Sequence, residues 1–219
     1  ITVTRASGPG SVTLQNATAL TNAQGVATFP TLSLSGTMGT HVLSAGSGVL
    51  TPATTPITLA AGEAVALDIA TQPSAQTTVG IALGQQPTIR LVDAFGNPTP
   101  ATTAYTINAS VDPASVDSGF VTVFGETAFI LPGQTSTTFD ALTLNALLGN
   151  RPRLIFSNAT LASRISEPIT MLSGPAASLR IVTALPDTLR TVGPSTWGLI
   201  TPAPVIQLAD AGGNPSLQS

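Results

Sequence analysis

Residues 64–80 read AVALDIATQPSAQTTVG and residues 86–100 read QPTIRLVDAFGNPTP; both return later, as AASLRIVTALPDTLRTVG at 176–193 and APVIQLADAGGNPSLQ at 203–218. Leu67 aligns with Leu179, Pro73 with Pro186, Thr78-Val79-Gly80 with the same three residues at 191–193, and the turn at 93–98 with that at 210–215. A second pair of matches lies elsewhere in the chain. ATFPTLSLSGTMGT at 27–40 returns as TTFDALTLNALLGN at 137–150, and TTPITLAAG at 54–62 returns as SEPITMLSG at 166–174. The offsets run from 110 (27 to 137) to 117 (93 to 210), so the repeat is about 112 residues long. The two pairs belong to different halves of that repeat. Residues 1–62 therefore read as the C-terminal half of one unit, 63–174 as a complete unit, and 175–219 as the N-terminal half of the next.

Within a unit the period is two. Val65, Leu67 and Ile69 alternate with Ala66, Asp68 and Ala70; Ile89 and Leu91 flank Arg90; Leu142 and Leu144 flank Thr143; Ile57 and Leu59 flank Thr58. Such alternation buries one face of a strand and wets the other. Turn signals separate the runs, at Asn22-Ala23-Gln24-Gly25, Gly96-Asn97-Pro98, Pro132-Gly133, Gly149-Asn150 and Gly213-Asn214-Pro215. No stretch carries a 3.6-residue period. Short strands at this spacing predict an all-β chain of tandem antiparallel sandwiches without significant helix. The inward residues of the complete unit are predicted to be Leu67, Ile69, Ile89, Leu91, Ile107, Phe139, Leu142, Leu144 and Ile169.

Composition excludes whole classes of chemistry. Charged residues make up 8% of the 219, against about 25% in an ordinary soluble domain. With a formal charge of −3 and no basic cluster, the chain has no grip for nucleic-acid phosphates. Cys is absent, which removes disulfides and thiolate chemistry; Lys is absent too, which removes Schiff bases, P-loops and Lys–Asn isopeptide links. One His, His41, cannot build a multi-histidine metal site. No apolar run reaches the length of a membrane span. The ten acids are scattered singly, Asp112 and Asp117 in a turn-rich loop, so paired carboxylates for glycoside hydrolysis are not evident. No Gly-x-Ser-x-Gly accompanies the single imidazole. The expectation is a protein that is not an enzyme and needs no metal or cofactor.

The segments VDAFGNP and TNAQGVATFPTLSLSGTMGTHVLSA together resemble the bacterial immunoglobulin-like repeats of invasin- and intimin-type surface proteins, whose pattern runs D-x-x-G-N-P, then D-x-x-G-V-A-T-F, then G-T-Y-T-L-T-A. The likeness covers nearly the whole chain. It departs at Asn22, where the pattern has Asp, at His41, where it has Tyr, and over 127–139, where little but Phe139 remains. The resemblance implies tandem Ig-like sandwiches that serve as spacers and stalks on the cell surface.

Candidate sites follow. The Asp-x-x-Gly-Asn-Pro turns (Asp93 and Asn97; Asp210 and Asn214) offer one carboxylate and one amide each; they read as turns in which Asp and Asn bond nearby backbone, with a junction calcium ion as the alternative. His41 shares a face with Leu43 and Ala45 and reads as packed core. Asn16, Asn108 and Asn158 begin Asn-x-Ser/Thr sequons, three where this composition gives about two by chance, which is weak evidence for glycosylation. Trp197 lies in an insertion, PSTWGLITP, and reads either as a contact to a neighbour or as folded back on its own sandwich. The opening ITVTRASGPG has neither a basic nor an apolar leader region and suggests a piece of a longer polypeptide.

The leading functional expectation is an extracellular bacterial stalk or filament, its half-units completed head to tail by a neighbouring copy or by continuation of the polypeptide. Ile1, Val3, Trp197, Leu208 and Ser219 are the candidate inter-copy contacts. The alternative is an adhesin whose loops grip a glycan or a host protein. Nine aromatics, seven of them Phe and several of those at core-patterned positions, favour the scaffold.

Overall fold

The computed structural model describes residues 1–116, 121–185 and 200–216. Over the first 62 residues, the alternating runs become β1 (Thr2–Ser7), β2 (Val12–Gln15), β3 (Ser33–Gly36), β4 (Gly39–Gly46) and β5 (Ala53–Leu59). They form an antiparallel sheet in the order β1-β4-β5 and a β2-β3 pair. The middle segment holds β6 (Ala66–Thr71), β7 (Gln76–Thr78), β8 (Thr88–Val92), β9 (Tyr105–Val111), β10 (Val121–Phe124), β11 (Thr127–Ile130), β12 (Ser136–Thr138), β13 (Thr143–Ala146), β14 (Leu154–Ser157), β15 (Arg164–Ile165) and β16 (Thr170–Leu172). The last segment holds β17 (Ser178–Thr183) and β18 (Val205–Ala209), paired antiparallel. The helical content among the described residues is one 3-10 turn, Pro113–Ser115, whose N-cap Asp112 accepts the Ala114 N–H at 3.1 Å.

The middle segment is a β-sandwich. The sheets β12-β8-β6 and β11-β9-β14-β15 enclose one cluster of buried side chains, and the β10-β13 and β16-β7 pairs close its sides. Every residue of that cluster falls between Leu67 and Met171. Inward positions alternate as a half-wet antiparallel sheet requires: Ile107 and Ala109 on β9, Leu144 and Ala146 on β13, Leu154 and Phe156 on β14 are buried. Phe139 and Phe156 meet at its centre, ring centroids 5.5 Å apart and tilted by 49°. Of the nine inward residues read from the sequence, eight are buried. The ninth, Ile69, is half-buried and packs against the cluster from the last in-register position of β6, where the β6–β8 pairing shifts before Thr71.

One pairing departs from a wholly antiparallel sandwich. β16 runs parallel to β7, Met171 opposite Thr77. The segment receives the chain at Gly62 and passes it on at Gly174, and its last strand lies beside its second, both running the same way.

Truncating Phe139 to Ala removes a ring that is 2% exposed and leaves a void against Phe156. Equilibrium urea unfolding should show a loss of about 3–5 kcal/mol; a loss under about 1 kcal/mol would mean that this core is not a single packed unit.

Candidate functional site

The residues that do the most with the least exposure are the two Asp-x-x-Gly-Asn-Pro turns. Both close identically. Asp93 N–H donates to Asn97 O at 3.0 Å and Gly96 N–H to Asp93 O at 3.1 Å; Asp210, Gly213 and Asn214 repeat this at 2.9 and 3.0 Å. Gly96 and Gly213 sit at φ 79° and 82°, a region that glycine enters without steric penalty. Asp93 Oδ1 accepts the N–H groups of Phe95 (2.8 Å) and Asn97 (2.9 Å), and Asp210 Oδ1 accepts those of Gly212 and Asn214 (both 2.9 Å). This is the local turn chemistry expected of Asp.

The remaining polar atoms reach much further. Asp93 Oδ2 accepts the Gly62 N–H at 2.8 Å, and Thr99 Oγ1 donates to the Gly62 carbonyl at 2.7 Å, so both backbone groups of the connecting residue are held by the segment that follows it. Asn97 Nδ2 donates to the Gly36 carbonyl at 2.9 Å while its Oδ1 accepts the Met38 N–H at 2.9 Å, gripping the β3–β4 connection of the preceding segment. Asn97 Nδ2 also donates to Asp93 Oδ2 at 2.9 Å, which fixes the amide's orientation.

The second turn builds the same clamp from its own residues. Asp210 Oδ2 accepts the Gly174 N–H (2.9 Å) and Ser216 Oγ donates to the Gly174 carbonyl (2.9 Å). Asn214 Nδ2 donates to the Ala146 carbonyl (2.8 Å) and its Oδ1 accepts the Leu148 N–H (2.7 Å). Asp93, Asn97, Thr99, Asp210, Asn214 and Ser216 are all buried, so these bonds act where water competes little.

At Asp93, burial pushes the carboxyl pKa up. The Asn97 amide and the N–H groups of Gly62, Asn97 and Phe95 outweigh it and hold the group below the ordinary value of 3.8. At Asp210, burial is likewise outweighed, by the N–H groups of Gly174 and Asn214, the Asn214 side chain and the Gly212 N–H. The carboxylates are ionised and fully engaged by N–H donors, which favours the structural turn over a cation cage. Among the described residues, no group of three or more His, Cys, Asp or Glu is placed to hold a metal.

The other candidates fall in separate places. His41 is fully buried; its Nε2–H donates to the Thr37 carbonyl at 2.8 Å and its Nδ1 accepts from Arg5 Nε at 3.3 Å. Asp112 pairs with Arg153 at 2.7 Å, and Asp68 with Arg90 at 2.6 Å. Asn16 and Asn158 spend their side-chain N–H groups on the Thr31 and Thr106 carbonyls, while Asn108 is exposed on β9. Of the proposed inter-copy contacts, Val3 is buried, the Ile1 amino group donates to the Ala19 carbonyl at 2.7 Å, and Leu208 is half-buried. Trp197, Ser219 and Asp117 lie outside the described residues.

No family model matches the chain, and no curated protein sequence matches it. Among solved structures, the crystal structure of an S-layer protein, rSbsC, is similar over 99% of this chain and 24% of that one, at 17% identity and a TM-score of 0.28. The chain spans about a quarter of that protein's length, and a superposition this loose bears on neither fold nor function.

Replacing Asn97 by Ala strands the Gly36 carbonyl and the Met38 N–H together, and should cost about 1–3 kcal/mol in chemical unfolding. An Asp whose folded pKa lies below its unfolded value stabilises fully above the unfolded value and loses that contribution as pH falls through the folded one. The contribution of these two groups to the urea midpoint should therefore be constant well above 3.8 and be lost as pH falls toward and below it, and that loss should shrink in Asp93→Asn/Asp210→Asn. Melting with and without EDTA should coincide; a drop with chelator would restore the cation reading.

Proposed function

We propose that this chain is a segment of a bacterial Ig-like tandem repeat, similar to those of invasin- and intimin-type surface proteins, that builds a stalk or filament outside the cell. In this reading residues 1–62 and 175–219 are half-units, and each is completed head to tail by a neighbouring copy or by continuation of the polypeptide. The observation that carries the reading is the junction clamp, formed twice from equivalent residues about one repeat apart. A protein that uses buried polar groups to fix one unit to the next is organised around spacing and direction.

Other features support the same role. Each complete unit buries its own core, so length grows by adding units without redesign. Seven Arg and no Lys leave trypsin-like proteases few sites, and Arg151 is followed by Pro152. Low charge with Thr-rich faces permits lateral packing with little like-charge repulsion.

Immunogold labelling of intact, unpermeabilised cells of the source organism with an antibody to 63–174 should decorate extended structures at the surface. Labelling only after permeabilisation would overturn the extracellular role. On a glycan array the chain should bind nothing specifically, whereas saturable binding to a defined glycan would favour the adhesin.

A further inference from the structure

Residues that are equivalent by repeat have very different surroundings in the complete unit and in the two end segments. On the first strand, Leu67 is 2% exposed and its counterpart Leu179 is 72% exposed. On the strand that pairs with it, Ile89 is fully buried while Ile206 is 59% exposed. Phe139, Leu142 and Leu144 are buried; Phe29, Leu32 and Leu34 are half-buried. The residue types are the same, so the difference lies in what covers them. In the complete unit the cover for one half is the other half.

The strand margins tell the same story. β8 pairs with β6 on one side and β12 on the other, with Thr88 opposite Thr138, Ile89 opposite Thr137 and Arg90 opposite Ser136. β18 pairs with β17, and its other margin has no strand beside it among the described residues. The β12 counterpart, Val26-Ala27-Thr28, is likewise outside any named strand, and Val26 is 55% exposed.

The first junction also differs from the second. At the second, Gly174 packs so tightly that an added Cβ would meet the Val79 carbonyl at 2.3 Å, and one at Gly80 would lie 3.2 Å from the Ala211 Cβ. At the first, a Cβ on Gly62 meets nothing closer than 3.6 Å, and a cavity of about 310 Å³ opens, lined by Leu34, Leu59, Val65 and Phe95 among others. The carbonyls that receive Val79 and Gly80, those of Leu172 and Leu144, have Ala60 and Leu34 as counterparts beside this cavity. The incoming half-unit carries the matching Val192-Gly193 in its repeated Thr-Val-Gly.

We propose that residues 175–219 of one copy close onto residues 1–62 of a second copy in the register of the complete unit. Val205 then lies opposite Thr28, Ile206 opposite Ala27 and Gln207 opposite Val26, antiparallel. Leu179 and Ile181 are covered by the second copy, beside the first-junction cavity. This assignment rests on the tandem-array reading and adds to it the surface and the register. The driving force is the apolar area each half exposes alone, and the open margins supply direction through main-chain pairing.

Because the chain has no Cys, single introduced thiols report the register directly. The counterparts of Val205 and Thr28, Thr88 and Thr138, are an outward pair whose hydroxyls lie 2.8 Å apart, and close outward pairs of this kind have Cα spacings that a disulfide can bridge. Thr28 and Val205 are both exposed, so Thr28→Cys and Val205→Cys chains should fold, as circular dichroism can verify. Equal mixtures of the two, under mild oxidation, should yield a mixed disulfide dimer in several-fold excess over mixtures of Thr28→Cys with Gln207→Cys, two residues out of register. Sedimentation velocity of the unaltered chain should show concentration-dependent association. Association with a Gln207→Cys preference, or with no preferred pair, would overturn the register and leave head-to-tail assembly standing. A strictly monomeric chain at high micromolar concentration would overturn both.

Discussion

The arrangement of the whole chain depends on a buried carboxylate that accepts N–H groups from two directions at once. One oxygen of Asp93, like one of Asp210, folds its own turn; the other takes the N–H of the residue that connects two segments. A flexible connection between sandwiches would leave their relative pose to chance. Here the connecting glycine has both backbone groups engaged, and the neighbouring Asn bonds a loop on the far side of the connection. The geometry depends on ionisation, since a neutral acid would present an O–H to one of the donors and lose part of its hold on the rest.

Alternation was enough to read the core of the middle sandwich, because a half-wet strand leaves little choice about which residues face inward. Leu67, Ile89, Leu91, Ile107, Leu142 and Leu144 follow from period two alone, and Ile69 escapes it because a local register shift leaves no trace in the alternation. The parallel β7–β16 pair was equally invisible, since alternation carries no direction. Turn chemistry was legible for Asp93 and Asp210, whose bonds to nearby backbone any Asp-x-x-Gly sequence suggests.

What the sequence did not disclose was the reach of Asn97 and Asn214 into the preceding segment. Nothing local marks a bond that spans 59 or 66 residues. A signal was nonetheless present. Asn22-Ala23-Gln24-Gly25-Val26 folds the same turn, with Asn22 Oδ1 accepting the Gln24 and Val26 N–H groups and Gly25 at φ 77°. It has Val where the junction turns have Asn. Setting the three turns side by side isolates that Asn as surplus to the turn and therefore assigned to something else. Thr99 and Ser216 could be found the same way, as hydroxyls two residues further on in both copies.

The parallel pairing of β7 and β16 bears on how such a chain responds to tension. Pulled from its two ends, the complete unit is loaded at Gly62 on the side of its first strands and at Gly174 beyond its last. Two strands that point the same way and are drawn from opposite ends are loaded along their length, so their hydrogen bonds strain together instead of peeling open one after another. A load carried by that pair would thus depend on the direction of a single short strand, β16.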